Sequence, residues 1–202
     1  MPANSEKRAA PLQAHNKTIV LPEGDRRTAL YDITGKTVYM PNGEKLEAHS
    51  GLGDKRDDPR YIKVRMRGAT PPNVYDLTMR EKLFHGVRAI RLNPVDESKM
   101  HGRDGMLAHT YMLGPNGQSN GCVSFKDYRK FLDAFLNGEV NRLVVVPDLG
   151  GTNWRTAIAQ HSQVRRYAAN ARTGERDASV RRYAANSEPA NFSPVDRTIA
   201  TW

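Results

Sequence analysis

Apolar and polar residues alternate along the first half of the chain, and this two-residue period predicts short, half-buried β-strands. Residues 29–33 and 36–40 alternate on either side of Thr34-Gly35, which predicts a β-hairpin with a short glycine turn. Pro41-Asn42-Gly43 is a second turn signal. The same alternation predicts further strands over 45–49, 61–66, 87–92 and 142–146.

The hydrophobic period changes to that of a helix after residue 122. Five apolar residues recur at spacings of three and four, namely Tyr128, Phe131, Leu132, Phe135 and Leu136. Ser124 is the expected N-cap of this helix. A helix that starts directly behind Cys122 would bring its positive N-terminal end to the thiol and favour the thiolate.

Composition divides the chain into three parts. Residues 1–26 are polar and predict a flexible N-terminal arm, whereas 27–148 carry the patterned segments and predict one folded domain. Residues 149–202 contain no lysine, and the segment 164–170 recurs as 180–186. They predict a basic, arginine-rich and weakly helical tail, because two repeats are too few for a solenoid.

Charge and cysteine content limit the function classes. The net charge of +9 is compatible with nucleic acid, an anionic membrane or an acidic polymer such as a bacterial wall, but no nucleic-acid-binding motif supports the first. No window reaches the roughly 18 apolar residues of a membrane span, and residues 1–17 lack the apolar core of a signal peptide. No cluster has metal-ligand spacing, so we predict neither a metal nor a cofactor.

The residues that can carry chemistry concentrate between positions 100 and 125. This stretch holds the single cysteine, Cys122, and two of the six histidines, His101 and His109. A thiol attacks as the thiolate and needs a basic neighbour to lose its proton. We predict Cys122 as the nucleophile and His109 as its base, with His101 as the alternative base.

Two segments of this stretch resemble a known family. Residues 105–109, Gly-Met-Leu-Ala-His, followed by Ser119-x-Gly121-Cys122-Val123, resemble the L,D-transpeptidase catalytic domain of the YkuD type. The resemblance is greatest to its divergent branch, the type VI secretion effectors that edit peptidoglycan. Asn120 stands where the usual motif has histidine, and no arginine follows Cys122 closely. The resemblance covers about residues 28–147 and implies a mainly β fold, a β-sandwich with one helix after the cysteine.

The resemblance also implies a reaction and its substrate, the tetrapeptide stem of peptidoglycan. Cys122 would form a thioester that water or a free D-amino acid resolves, giving L,D-carboxypeptidase or L,D-transpeptidase exchange activity. Asn120, Gly121 and Cys122 would supply oxyanion donors, and Ser119 or a backbone carbonyl would complete the catalytic set. The expected substrate contacts are His101, Arg103, Ser50 and Tyr111.

A location and partners follow from the same resemblance. We expect an antibacterial effector that reaches the bacterial periplasm without a signal peptide of the usual kind. An immunity protein or a component of the secretion apparatus is the expected protein partner. The alternative is a catalytically inactive cell-wall-binding module of the same fold, with the basic tail as its anchor.

Overall fold

Eight strands form one closed barrel. The computed structural model describes residues 25–161. The strands are β1 (Thr28–Asp32), β2 (Thr37–Tyr39), β3 (Lys45–His49), β4 (Asn73–Met79), β5 (Ile90–Pro94), β6 (Leu107–Thr110), β7 (Val123–Phe125) and β8 (Arg142–Val146), with helix α1 (Tyr128–Leu136) between the last two. Three short 3-10 helices lie at Gly53–Lys55, Pro59–Tyr61 and Glu97–Met100.

The strands hydrogen-bond in the order β1-β2-β3-β7-β6-β5-β4-β8, and β8 closes the barrel onto β1. The β1–β8 and β6–β7 pairs are parallel and the others are antiparallel. The predicted mainly β fold with a helix after the cysteine is confirmed. Its strands join in one continuous ring where the resemblance implied a sandwich.

The hydrophobic pattern located several elements closely. The predicted hairpin forms β1 and β2, the third predicted strand is β3, and the predicted helix is α1. The helix packs Tyr128, Phe131 and Ala134 into the main core, where the rings of Phe125 and Phe131 stack at 4.4 Å. This packing anchors the chain just beyond β7, the strand that follows the cysteine.

A second hydrophobic cluster lies on another face of β1, β4 and β8. It joins Leu30, Val74, Val144 and Val146 to Trp154 and Ile158 of the helical residues 154–161. The Tyr39 and Trp154 rings stack at 6.1 Å. The segment predicted as a tail from residue 149 therefore includes a helix packed on the barrel. The predicted arm and the repeated segment lie outside the described residues.

The prediction of a strand over 61–66 is wrong. This segment forms turns, in which Val64 N–H donates to Tyr61 O and Gly68 N–H donates to Val64 O. Its backbone also takes a left-handed conformation at Met66, with φ of 60°. None of these six residues is buried. A closed barrel has no free edge to pair with them, so their alternation does not produce a strand.

Two further boundaries differ from the sequence predictions. The strand expected at 87–92 is shifted to β5, Ile90–Pro94. The N-cap of α1 is Asp127, because Ser124 belongs to β7. A strand therefore separates Cys122 from the helix, and the predicted support of the thiolate by the helix N-terminus is wrong. Within residues 25–161, no helix has the length and apolar character needed to cross a bilayer.

The second cluster gives a test of stability. Trp154 is nearly buried, so Trp154→Ala should lower the free energy of unfolding by about 3–5 kcal/mol, the usual cost of emptying an aromatic site. Thermal and urea unfolding measure this. Leu136→Ala, at a residue that is 47% exposed on α1, is the control and should cost about 0.5 kcal/mol. Equal effects of the two variants would contradict the packing described here.

Candidate active site

The barrel places His109, the predicted base, in β6 and brings Cys122, the predicted nucleophile, to the residue just before the parallel strand β7. His109 lies in β6 opposite Ser124 of β7, and Ala108 lies opposite Val123. Extending this register by one residue places Leu107 opposite Cys122. Residues two apart on a strand face the same side, so Cys122 and His109 share one face. The strand spacings put their Cα atoms about 8 Å apart.

A cavity of about 330 Å³ opens beside Cys122. Four segments that are distant in sequence line it: residues 65–66, 84–85, 103–106 and 120–122. The lining combines apolar side chains with basic ones and one carboxylate, listed as Arg65, Met66, Phe84, His85, Arg103, Asp104, Gly105, Met106, Asn120 and Cys122. The volume is at the lower end of the range for small-ligand sites.

A backbone carbonyl fixes the state of His109. Its Nδ1 lies 2.6 Å from the carbonyl oxygen of Thr110. A carbonyl can only accept a hydrogen bond, so this contact assigns the ring proton to Nδ1. Nε2 then carries the free lone pair that a general base needs.

Burial sets the charge of both groups. It lowers the pKa of His109, an effect that the hydrogen bond to Thr110 opposes and the nearby His85 reinforces. Burial raises the pKa of the Cys122 thiol, while a backbone hydrogen bond from Leu107 and the charge of Arg103 lower it. Both shifts favour the uncharged forms. At neutral pH the pair therefore rests as a thiol and a neutral imidazole.

Residues 119–122, here called the nucleophile turn, are held by the buried hydroxyl of Ser119. This hydroxyl donates to Cys122 O at 2.6 Å and accepts from the N–H groups of Gly51 and Gly121, both at 3.2 Å. The backbone N–H of Ser119 also donates to Gly51 O at 3.0 Å. The proton and both lone pairs of the Ser119 hydroxyl are therefore all engaged in hydrogen bonds. Ser119 is a structural tie between the end of β3 and the turn.

A second set of hydrogen bonds reaches the turn from the core. Thr70 Oγ1 donates to Gly121 O at 2.7 Å, and Thr70 N–H donates to Ser50 Oγ at 3.1 Å. Tyr31 O–H donates to the same Ser50 oxygen at 3.2 Å. Ser50, a predicted substrate contact, is fully buried. Its hydroxyl instead helps to hold Thr70, which in turn bonds the nucleophile turn.

Arg103 also contacts the nucleophile turn. The residue is only 5% exposed, and its guanidinium donates to the carbonyls of Ile62, Gly68 and Ala69. A more distant contact of 3.5 Å reaches Asn120 O. Arg103 lines the cavity, but its terminal nitrogens already bind backbone carbonyls.

The family model of the Tlde1 domain matches residues 44–149. This span runs from β3 to β8, contains both Cys122 and His109, and covers more than half of the 202 residues. The chain belongs to the Tlde1 domain family. This is a YkuD-like, L,D-transpeptidase-like family of type VI secretion effectors that act on peptidoglycan, which confirms the family suspected from the motif. A comparison with curated proteins found no match.

The remaining predicted residues of this Tlde1 domain lie away from the cavity lining. His101 is exposed and caps a 3-10 helix with φ of 53°. Tyr111 donates to Glu47 at 3.1 Å, and its ring lies 5.9 Å from that of His49. His49 Nδ1 lies 2.6 Å from a carboxylate oxygen of the buried Asp57. Tyr111 therefore belongs to a polar cluster at the end of β3.

Sequence reasoning missed much of the Tlde1 cavity wall. Arg65, Met66, Phe84 and His85 line the cavity, and the Phe84 ring lies 5.5 Å from that of His109. The sequence signal was weak, since residues 79–85 were ambiguous between a short helical turn and a loop. Such segments are typical of loops, and loops carry many functional residues. Among residues 25–161, no three His, Cys, Asp or Glu side chains cluster as a metal site requires.

Gly121 gives a test of how tightly this turn is packed. A Cβ there would lie 1.9 Å from an Arg103 nitrogen, and its φ is +115°. Gly121→Ala should therefore cost more than the roughly 1–2 kcal/mol of left-handed backbone alone. Gly102→Ala is the matched control, because φ is +70° and nothing lies within 4 Å of the added Cβ. Urea unfolding compares the two variants, and equal losses would contradict the close contact.

Proposed function

We propose that this Tlde1-domain protein is a cysteine-dependent enzyme that edits the tetrapeptide stem of peptidoglycan. The reaction is removal of the terminal D-amino acid, its exchange for another, or both. The observation that carries the proposal is the register of the parallel strands β6 and β7, which brings Cys122, just before β7, to the same face as His109 of β6, with the thiol at a cavity. Family membership supplies the substrate class.

The neutral resting pair supports a general-base mechanism. His109 Nε2 takes the thiol proton as Cys122 Sγ attacks the carbonyl carbon of the third stem residue. The proton then passes to the leaving amine of the terminal D-residue as the thioester forms. In hydrolysis, water adds to the thioester and gives a proton to His109. His109 then returns this proton to the departing sulfur, which leaves the Cys122 thiol and the tripeptide acid, and the acid loses its proton to solvent. In exchange, the amine of a D-amino acid takes the place of water.

The orientation of one peptide group supports an oxyanion donor. The Gly121 carbonyl points to Thr70 Oγ1, and in a trans peptide the N–H points the opposite way. The Cys122 N–H therefore faces away from Thr70, whereas the Gly121 N–H is bonded to Ser119. Of the three predicted donors, we assign the main role to the Cys122 N–H. Such a donor typically contributes about 3–4 kcal/mol to the transition state.

The cavity lining supports the end of a peptide as the bound group. Met66, Phe84 and Met106 provide apolar contact for a small side chain, and Arg65 provides a cation at the same cavity. Because Arg103 is committed to backbone carbonyls, Arg65 is the better partner for the terminal carboxylate of the stem.

Mass spectrometry of tetrapeptide muropeptides tests this function directly. The protein should remove the terminal D-alanine, or replace it when D-methionine is added, and Cys122→Ala and His109→Ala should reduce the rate at least about a hundredfold. His101→Ala is the matched histidine control and should stay near the wild-type rate. Unmodified muropeptides that still bind the protein would instead support the cell-wall-binding module.

The pH profile is a second arm of the same test. Because burial lowers the pKa of His109, the base stays unprotonated at neutral pH. As the pH is lowered from neutral, kcat/KM should therefore stay constant and fall only below about pH 6.5, the ordinary pKa of histidine. A fall that begins above this value would contradict the buried base.

Thr70 gives a test of the oxyanion assignment. Thr70→Val keeps the side-chain volume but removes the donor to Gly121 O, so the Cys122 N–H loses its fixed direction. We expect kcat to fall about tenfold or more with little change in KM, since the interaction strengthens in the transition state. Thr70→Ser keeps the hydroxyl and should restore most of the rate. A loss in KM alone would contradict this role.

A further inference from the structure

Arg103 is a buried cation whose hydrogen-bond partners are backbone carbonyls. Its Nη1 donates to Ile62 O at 2.7 Å and to Ala69 O at 2.5 Å, and its Nη2 donates to Gly68 O at 2.9 Å. Burial lowers the pKa of Arg103, and ionisation of Tyr75 or Cys122 would oppose this shift. A buried charge is costly unless an opposite charge compensates it. Among the described residues, no carboxylate hydrogen-bonds to Arg103, so the burial of this cation needs an explanation.

The guanidinium lies directly against the nucleophile turn. A Cβ on Gly121 would be 1.9 Å from Arg103 Nη2, and the Asn120 carbonyl is 3.5 Å from the same nitrogen. Glycine at position 121 is thus required by the arginine as well as by its positive φ. Replacing this hydrogen by a methyl group would push the guanidinium away from the turn.

The other partners of Arg103 belong to one wall of the cavity. Ile62, Gly68 and Ala69 flank Arg65 and Met66, which line the cavity with Arg103 and Cys122. The segment forms turns rather than a strand, so no sheet hydrogen bonds fix its position. One side chain therefore ties the wall of the cavity to the turn that carries the thiol.

We propose that Arg103 is a positioning residue for the nucleophile: its two terminal nitrogens fix residues 62–69 to the nucleophile turn, and its charge stabilises the thiolate that forms on Cys122. This differs from the substrate contact that the sequence analysis predicted for it. The proposal rests on the proposed function only in taking Cys122 as the nucleophile. The acidity of the thiol is measurable without any substrate.

The two parts of this role have different chemical requirements. An opposite charge within a few ångströms favours ionisation of a thiol, and burial disfavours it, so the arginine offsets part of the cost of burying Cys122. A lysine can supply the charge. It cannot span several carbonyls, because its ammonium is a single point whereas guanidinium is a planar fork.

The test is the pH dependence of alkylation by iodoacetamide in the whole chain of 202 residues. Cys122 is the single cysteine of the chain, so incorporation of the label reports on this thiol alone. Rates are measured over about pH 6 to 11, which brackets ordinary thiol ionisation, for the wild type, Arg103→Gln, Arg103→Lys and Arg142→Gln. Arg142 is the control, since its partner is Asp76 across the barrel strands.

We expect Arg103→Gln to raise the midpoint of the alkylation profile by about one pH unit, which makes the rate about tenfold lower at any pH below both midpoints. Arg103→Lys should keep the midpoint close to wild type but unfold at a lower temperature. Arg142→Gln should leave the midpoint unchanged. An unshifted midpoint in folded Arg103→Gln, or an equal upward shift in Arg103→Lys, would overturn the role of the charge.

Gly121→Ala keeps the test decisive if Arg103→Gln does not fold. Its methyl group displaces the guanidinium while the arginine remains, so the midpoint should again rise, and an unchanged midpoint would overturn the proposal. The result separates this inference from the proposed function. A shifted profile in a protein that leaves muropeptides unmodified supports Arg103 as described here and contradicts only the enzymatic activity.

Discussion

The structure around the cysteine depends on the hydrogen bonds that hold residues 119–122. Ser119 ties this turn to the end of β3, Thr70 ties it to the buried Ser50, and Arg103 packs against Gly121. Each of these bonds is made away from water, where an unmatched partner would be costly. The peptide groups of the turn are therefore fixed in direction before any ligand arrives, which is the condition for stabilising charge in a transition state.

Burial of the cysteine and the histidine has a consequence for reactivity. Both groups favour their uncharged forms, so the free protein presents a thiol rather than a thiolate. In the proposed mechanism, proton transfer therefore accompanies attack on a bound carbonyl, as in serine hydrolases. A thiol held in this state is less exposed to oxidation and to adventitious alkylation than a free thiolate.

Several features were predictable because they depend on neighbours in sequence. The alternation over 29–40 located the first hairpin, the spacing of Tyr128 and Phe131 located α1, and the Ser-x-Gly-Cys motif identified the family. The strand expected at 61–66 failed for a reason that is not local. Alternation describes a face that can be buried, and whether a sheet edge is free to pair with it depends on the whole barrel.

By itself, the sequence determined the mainly β class and the family, since these follow from period and motif. It also predicted Cys122 and His109 as the catalytic pair, from residue type and motif. Only the tertiary structure decided which side chains meet the thiol. The cavity draws its walls from segments that are far apart in the chain, including Phe84 and Arg65. Tertiary contacts also bury Ser50, whose hydroxyl accepts a hydrogen bond, and direct the guanidinium of Arg103 to backbone carbonyls. No local pattern encodes such roles, because they arise from which loops the closed barrel places side by side.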